Sequence, residues 1–414
     1  MAEFFERSKK LAWRSTLNLR SSGIAIQKRR LPALRNTDMN VLIEKNIFRS
    51  DDLVIDFFSL GDDPNKSVAF TFTAFTPSTK AAKDTLVGVG FGGELLLRNG
   101  FDVIAFKSAK NLWYQNLLAE MIEDVENFIG ASSIRYVKRV SYGSSMGAYA
   151  AIQFSRALKV DIVLALSPQL EIDKPYDQRW QSLVPQIDFQ YRIDANAISD
   201  SCQYFVAYDP KNEDTLHIKK LSALIDKHRL IEIRTPYSGH PSTTYLFETG
   251  LIQNLALSVL QHATFDHSSI RTNRKHSKTY LYELSKWLTL KNKNKSALVA
   301  IDRALSVDKY SLALLIHKIT ILEKLGNPVA ARTLAYETCE QFTGGTIVDA
   351  HLLASLSDVL ISYQDFPGAL ILIEKAIEID ETVTEFHLHR QSVRKLLKKS
   401  KLQGLLNKLK FGVE

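Results

Sequence analysis

The sequence predicts an α/β fold, a mostly parallel, doubly wound sheet, followed by an all-α region, and three observations predict it. Between about residues 50 and 265, short runs rich in β-branched and aromatic residues alternate with segments of helical spacing. The short runs are largely apolar on both faces, as strands covered on both sides of a sheet should be. Past about residue 279 the strand-like runs stop and helical spacing continues to the end.

In chain order, the candidate strands are Leu53–Phe58, Val68–Thr73, Phe101–Phe106, Val137–Tyr142, Asp161–Leu166, Gln203–Tyr208 and Leu230–Arg234. Helical spacing falls between them at Leu112–Phe128, Gly147–Leu158, His217–Lys227 and Thr243–Gln261. Residues 167–202 are too long for a simple crossover and are expected to form an insertion or cap near 170–202. The expected organisation is a basic segment at 1–49, the sheet domain at 50–265, an exposed polar linker at 266–278 and a helical domain at 279–414 with a basic tail. Few core contacts should cross such a linker, so the two domains are expected to fold apart.

A chain of 414 residues is long enough for two or three domains. Apolar residues make up 45% and charged residues 24%, the balance of a soluble globular protein. No apolar run is long enough to span a membrane, and the N-terminal stretch lacks the apolar core of a secretory signal, so a cytoplasmic location is expected. The two cysteines, Cys202 and Cys339, lie outside any metal-ligand spacing, and neither a metal nor a cofactor is expected. The net charge is +8, with basic clusters in 1–35, in RTNRKHSK (271–278) and in KLLKKSKLQGLLNKLK (395–410). Such runs usually solvate a face, and they could also contact anionic membrane lipids. No nucleic-acid recognition motif accompanies them, so nucleic acid is not an expected partner.

The stretch SYGSSMGAYAA, 141–151, carries the candidate chemistry. Gly143-Ser144-Ser145-Met146-Gly147 fits G-x-S-x-G at a strand-to-helix turn, the setting of a nucleophile elbow. Counting from the two glycines puts Ser145, not Ser144, at the apex. Ala148, Ala150 and Ala151 then let the helix lie close to the sheet.

YGSSMGAYAA followed by LALSPQ resembles the α/β-hydrolase fold, and within it a bacterial subgroup with a C-terminal helical repeat. The resemblance covers roughly residues 50–265 and implies an acid and a histidine later in the chain, in the order Ser, Asp or Glu, His. Asp209 follows the strand Gln203–Tyr208 (YFVAYDPKNED), and His240 lies in the loop after Leu230–Arg234 (TPYSGHPST). The histidine would take the serine proton, and the carboxylate would fix its tautomer. Asp209 is the preferred acid because it directly follows its strand. Asp214, five residues on, stays an alternative because related loops often place the acid later. The amide of Met146 is the first candidate oxyanion donor, and that of Ala74 or Phe75 (FTFTAFTPS) the second. Trp113 and Tyr114 (NLWYQ) follow the strand Phe101–Phe106 toward the same sheet edge and are candidates to shape the substrate site, and in the insertion Arg179, Trp180 and Tyr191 are candidates to bind a sugar or an acidic group. The aromatic residues of the insertion would equally anchor a cap to the body.

In the helical region SALVAIDRALSVD (296–308) matches GALILIEKAIEID (368–380) at an offset of 72, and VAARTLAYETCEQF (329–342) lies near an offset of 34 from the first. This resembles tetratricopeptide repeats, about three helix pairs over 279–397, which imply a surface for a protein partner. Thr338 stands where the repeat would carry a small residue. The function expected is a serine hydrolase, an esterase or deacylase acting through an acyl-serine on a small-molecule or saccharide ester. The resemblance implies an acylated glycan precursor in surface-polysaccharide biosynthesis. An inactive scaffold that binds partners through the repeats, and an acyltransferase using the same triad, are the alternatives.

Overall fold

The structure is a computed structural model that describes residues 27–29, 42–61, 65–76, 84–132, 134–343 and 349–411. Among these, nine strands form one sheet: β1 (Gln27–Arg29), β2 (Leu42–Arg49), β3 (Leu53–Leu60), β4 (Ser67–Phe72), β5 (Phe101–Ser108), β6 (Lys138–Ser144), β7 (Ile162–Leu166), β8 (Gln203–Tyr208) and β9 (Leu230–Arg234). Their order is β1-β2-β3-β5-β4-β6-β7-β8-β9. β1, β2 and β3 pair antiparallel, β3 runs antiparallel to β5, and all pairings from β5 to β9 are parallel. This is the doubly wound α/β-hydrolase arrangement expected from the sequence. The order reverses between β4 and β6, and open sheets of this kind place their sites beyond the strand carboxyl ends at such a reversal.

Alternation along the strands sorts side chains into two cores. Val163 and Ala165 of β7, and Tyr204, Val206 and Tyr208 of β8, face a layer formed by α2 (Ala119–Gly130), α3 (Met146–Gln153) and α4 (Asp214–Ser222). Ile162, Leu164 and Leu166, with Phe205 and Ala207, face α1 (Gly93–Arg98), α5 (Ser242–Glu248) and α6 (Ile252–His262). Leu164 is completely buried. Leu164→Ala is expected to cost about 2–5 kcal/mol in a denaturant titration, because the site is hemmed by strands on both sides and cannot collapse.

Four expectations change. Residues 1–49 are not wholly outside the sheet, since Gln27–Arg29 and Leu42–Arg49 are strands. The rest of the N-terminal basic cluster lies outside the described residues. The helix expected over Leu112–Phe128 starts only at Ala119, because Trp113 and Tyr114 sit at φ 49° and 54°, outside helical space. The helix expected over Thr243–Gln261 is two helices, broken at Gly250 (φ 74°).

The fourth concerns residues 266–278, which are exposed along most of their length but are pinned to the sheet domain at Ile270 and Ser277. Ile270 is buried in the second core, and Ser277 is fully buried. The Tyr245 hydroxyl donates to the Ile270 carbonyl. The Glu248 carboxylate accepts from Ser277 Oγ (2.6 Å), Thr279 N (3.0 Å) and Thr279 Oγ1 (2.9 Å). The basic stretch 271–276 faces water, and the ends of the segment are held to α5 through Tyr245 and Glu248.

The helical region follows as α7 (Lys278–Leu290), α8 (Asn294–Val307), α9 (Leu312–Lys324), α10 (Pro328–Thr343), α11 (Ala350–Ser362), α12 (Phe366–Ile379) and α13 (Thr384–Phe411). The 72-residue offset of the sequence is kept in the packing. Ala297, Ile301 and Ala304 of α8 are buried as Ala369, Ile373 and Ala376 of α12 are. Ser285 of α7 donates to the Ala297 carbonyl, and Ser357 of α11 donates to the Ala369 carbonyl, both at 2.9 Å. Among the described residues no helix is long and apolar enough to cross a membrane.

Candidate active site

The elbow explains the glycines. A Cβ on Gly143 would lie 2.3 Å from the Gly147 backbone, and one on Gly147 would lie 2.4 Å from the Phe72 carbonyl oxygen. Neither backbone can yield, so Gly147→Ala is expected to push α3 off β4 and to abolish recovery of folded protein, read as loss of soluble monomer on gel filtration. Ser145 sits between them at φ 52°, ψ −115°, a conformation that costs of order 1–3 kcal/mol and is held by the Ser145 N–H to Leu166 carbonyl bond of 2.8 Å. The two adjacent serines point to different partners. Ser144 Oγ is 2.6 Å from Thr243 Oγ1, whereas Ser145 Oγ is 2.9 Å from His240 Nε2. Ser145 is the serine that meets the histidine, as the glycine register requires.

The carboxylate beside His240 is Asp214, the alternative, and not Asp209. His240 Nδ1 lies 3.1 Å from both Asp214 oxygens. Asp214 opens α4 and is fully buried. Burial alone would raise its carboxyl, but His240 and Arg179 outweigh this and hold it below the usual carboxylate range. Asp209 is turned elsewhere. Its carboxylate accepts from the backbone N–H groups of Lys211 (2.9 Å), Tyr237 (3.0 Å) and Gly239 (2.9 Å), which ties β8 to the loop that carries His240. Burial pushes Asp209 up to about 6 against the pull of those three donors, with Glu283 adding to the rise. Asp209 directly follows its strand and serves as a loop anchor. The carboxylate that meets His240 is five residues further on, where α4 begins.

Met146 is the first residue of α3, so its N–H has no acceptor within the helix and stands beside the nucleophile. Thr73, Ala74 and Phe75 continue from the end of β4, whose Phe72 carbonyl abuts Gly147. The Thr73 carbonyl also lies against Gly147, so the candidate donors Ala74 and Phe75 follow directly on a stretch that abuts the elbow. The Phe75 ring packs on Trp180 at 4.9 Å and on Trp113 at 6.3 Å.

The substrate-binding candidates divide. Tyr114 is completely buried, and its hydroxyl bonds Thr73 Oγ1 (2.9 Å), the Thr73 carbonyl (3.0 Å) and the Phe106 carbonyl (3.1 Å). It braces the end of β4 and reaches no ligand. Trp113 is buried beneath Phe75 and Trp180. Tyr191 packs edge-on against Phe154 and anchors the insertion to α3 through the Tyr149 hydroxyl, which donates to its carbonyl. Trp180, half-buried, stands edge-on to His240 with ring centroids 6.4 Å apart and is the one aromatic residue of this group against that histidine. Arg179 does not offer a free charge to a substrate. Its Nε and Nη2 each lie 2.8 Å from Asp177, and its Nη1 lies 3.0 Å from Asp214 Oδ1.

Three residues of this network carry no motif. Gln169, just past the carboxyl end of β7, has its side-chain amide 3.0 Å from Ser145 Oγ. Asp177 holds Arg179 and accepts from His217 Nε2 at 3.0 Å. His217 Nδ1 accepts the Leu170 N–H at 3.1 Å, which leaves its proton on Nε2. The SPQ that follows LALSPQ's strand was the available signal for Gln169, a polar residue leaving the same sheet edge as the elbow. Asp177 and His217 are brought in only by the fold of the insertion. Among the described residues no cluster of His, Cys, Asp or Glu could hold a metal ion.

No protein-family model matches the sequence, and no curated protein matches it at a significant level. Solved structures with similar chain traces include an esterase from Pyrococcus furiosus (15% identity, 56% of this chain and 95% of that one, TM-score 0.38). The capsule O-acetyltransferase of Neisseria meningitidis serogroup A is similar over 55% of this chain and 97% of its own (12% identity, TM-score 0.37). An acetyl xylan esterase from Paenibacillus sp. R4 covers 56% of this chain and 86% of its own (12% identity, TM-score 0.36). Likenesses this distant add nothing to the strand order and side-chain contacts described above.

Proposed function

We propose that this protein is a serine hydrolase that cleaves carboxylic esters, with Ser145 as nucleophile, His240 as base and Asp214 as the acid that orients it. The observation that carries this reading is the unbroken chain from Ser145 Oγ to His240 Nε2 (2.9 Å) and from His240 Nδ1 to Asp214 (3.1 Å), set on a strained elbow. An inactive scaffold would have no reason to keep these groups in contact or Ser145 at positive φ.

In the forward reaction Oγ attacks the ester carbonyl carbon, its proton passes to His240 Nε2, and the carbonyl electron pair moves onto oxygen. The Met146 N–H, with an amide from Ala74–Phe75, faces that oxygen. Collapse breaks the bond to the alcohol oxygen, which takes the proton from His240 and leaves an acyl-serine. Water then repeats the sequence, giving its proton to His240 and releasing the acid as Oγ recovers the proton. Trp180 and Phe75 form an apolar wall beside His240, which supports a substrate with a flat or sugar-like face, such as an acylated saccharide. The paired helices of α7–α13, tetratricopeptide-like in their repetition, supply the surface for a protein partner.

The test is a panel of chromogenic esters of increasing acyl length, together with acetylated sugars, given to the purified full chain. Saturable turnover with release of free acid supports the hydrolase. Transfer to an added alcohol in preference to water would make the protein an acyltransferase. No reaction on either arm would overturn the enzymatic reading.

A further inference from the structure

Two donors face one end of the Gln169 side-chain amide. Trp180 Nε1 lies 2.6 Å from it and Arg179 Nη2 lies 3.2 Å from it. Each brings a hydrogen and needs an acceptor, so the carbonyl oxygen belongs at that end. Asp177 Oδ2 lies 3.3 Å from the same end and would suit an amide hydrogen, but two donors, one much closer, outweigh one distant acceptor. The NH2 group therefore faces Ser145 Oγ at 3.0 Å.

The clamp is rigid. Gln169 is completely buried, and Arg179 is fixed by Asp177 on one side and Asp214 on the other. Asp177 is fixed in turn by His217, which is also completely buried. A Gln169 N–H pointing at Oγ leaves the serine hydroxyl one productive choice, which is to donate to His240 Nε2. With the amide reversed, the hydroxyl could donate to Gln169 and turn its proton away from the base.

We propose that Gln169 is a catalytic residue: its clamped amide N–H donates to Ser145 Oγ, sends the hydroxyl proton to His240 and stabilises the charge on Oγ while the bond to carbon forms and breaks. This inference rests on Ser145 being the nucleophile. In acylation Oγ loses its proton to His240 as the Oγ–carbon bond forms, so negative charge passes through Oγ. In deacylation that bond breaks and Oγ leaves with the electron pair before recovering the proton from His240. The donor acts on the same atom in both directions, so its contribution falls on the covalent steps and not on substrate affinity.

The experiment labels the full chain with a fluorophosphonate and separates the maximal labelling rate from the half-saturating probe concentration. Gln169→Glu keeps the size of the side chain and an oxygen facing Trp180 and Arg179, and replaces the donor facing Ser145 with a charged acceptor. Its maximal rate is expected to fall on the order of 100-fold, with the half-saturating concentration unchanged within about twofold. Gln169→Met, which needs no charge in the core, is expected to fall about 10-fold in the same parameter and decides the matter if the Glu variant does not fold. Thermal unfolding of both variants reports whether they are folded. Labelling at the wild-type rate in a folded variant, or a loss confined to the half-saturating concentration, would overturn the role of Gln169 and leave the hydrolase reading standing. A wild-type chain that does not label at Ser145 would overturn both.

Discussion

Asp214→Asn is expected to lower ester turnover by roughly 10⁴-fold, and Asp209→Asn to leave it within about tenfold of the wild type. The first substitution keeps the shape of the side chain but replaces one of the two oxygens that face His240 Nδ1 with an amide nitrogen. The imidazole can then settle in the wrong tautomer, and the imidazolium formed during attack loses its counter-charge. The second substitution disturbs a carboxylate that touches only backbone N–H groups of its own loop and of the His240 loop. Its cost falls on stability, about 1–3 kcal/mol for a buried acceptor group left badly paired. Turnover of a chromogenic ester, paired with thermal unfolding, separates the two. Equal large losses of turnover would mean that the Asp209 loop anchor and the Asp214 contact cannot be told apart by function. A loss confined to Asp209 would move the acid.

A chain ending at residue 270 is expected to yield no soluble, fluorophosphonate-reactive protein. The sequence suggested the opposite, an independent catalytic domain. The structure puts the first helix of the helical region against the loop that holds the base. Tyr237 of that loop meets the rings of Tyr280 and Trp287, each at 5.8 Å, and Tyr245 meets Tyr280 at 6.4 Å. Gly239, immediately before His240, sits at φ 68° so close to α7 that a Cβ there would be 3.0 Å from Glu283 Oε1. Each aromatic pair is worth about 0.5–1.5 kcal/mol beyond its buried area, and all would go at once. Removing α7 exposes Tyr237, Tyr245 and the Glu248 carboxylate, and frees the His240 loop on one side. Soluble yield and probe labelling measure the outcome. A soluble truncation that labels as fast as the full chain would show that the helices are dispensable for the site.

The parts of this account legible in the sequence are those governed by local rules. Apolar β-branched runs gave the central strands because both their faces are buried. Two glycines four residues apart gave Ser145, because no Cβ fits at either position. The 72-residue match in the helical region is legible because repeated small residues pack the same way twice. The misses are contacts made over long sequence distances. The choice between Asp209 and Asp214 depended on how a five-residue turn folds before α4, and strand adjacency pointed to the carboxylate that does not reach His240. Arg179 looked like a free cation in a long insertion, yet it is closed between Asp177 and Asp214. Tyr114 looked like a ligand contact because it follows a strand on the right sheet edge, but its positive φ turns the ring into the core. The segment 266–278 is polar and mostly faces water, as its composition suggests, but composition does not show that Ile270 and Ser277 pin it to the sheet domain.

If Ser145 is a nucleophile activated by His240, a serine-directed probe should capture it covalently. The full chain is treated with a fluorophosphonate at neutral pH, digested, and the modified residue located by mass spectrometry. One adduct on Ser145, absent in Ser145→Ala and retained in Ser144→Ala, is the result this account predicts. No adduct on a folded wild-type chain, or an adduct on Ser144 instead, would contradict it.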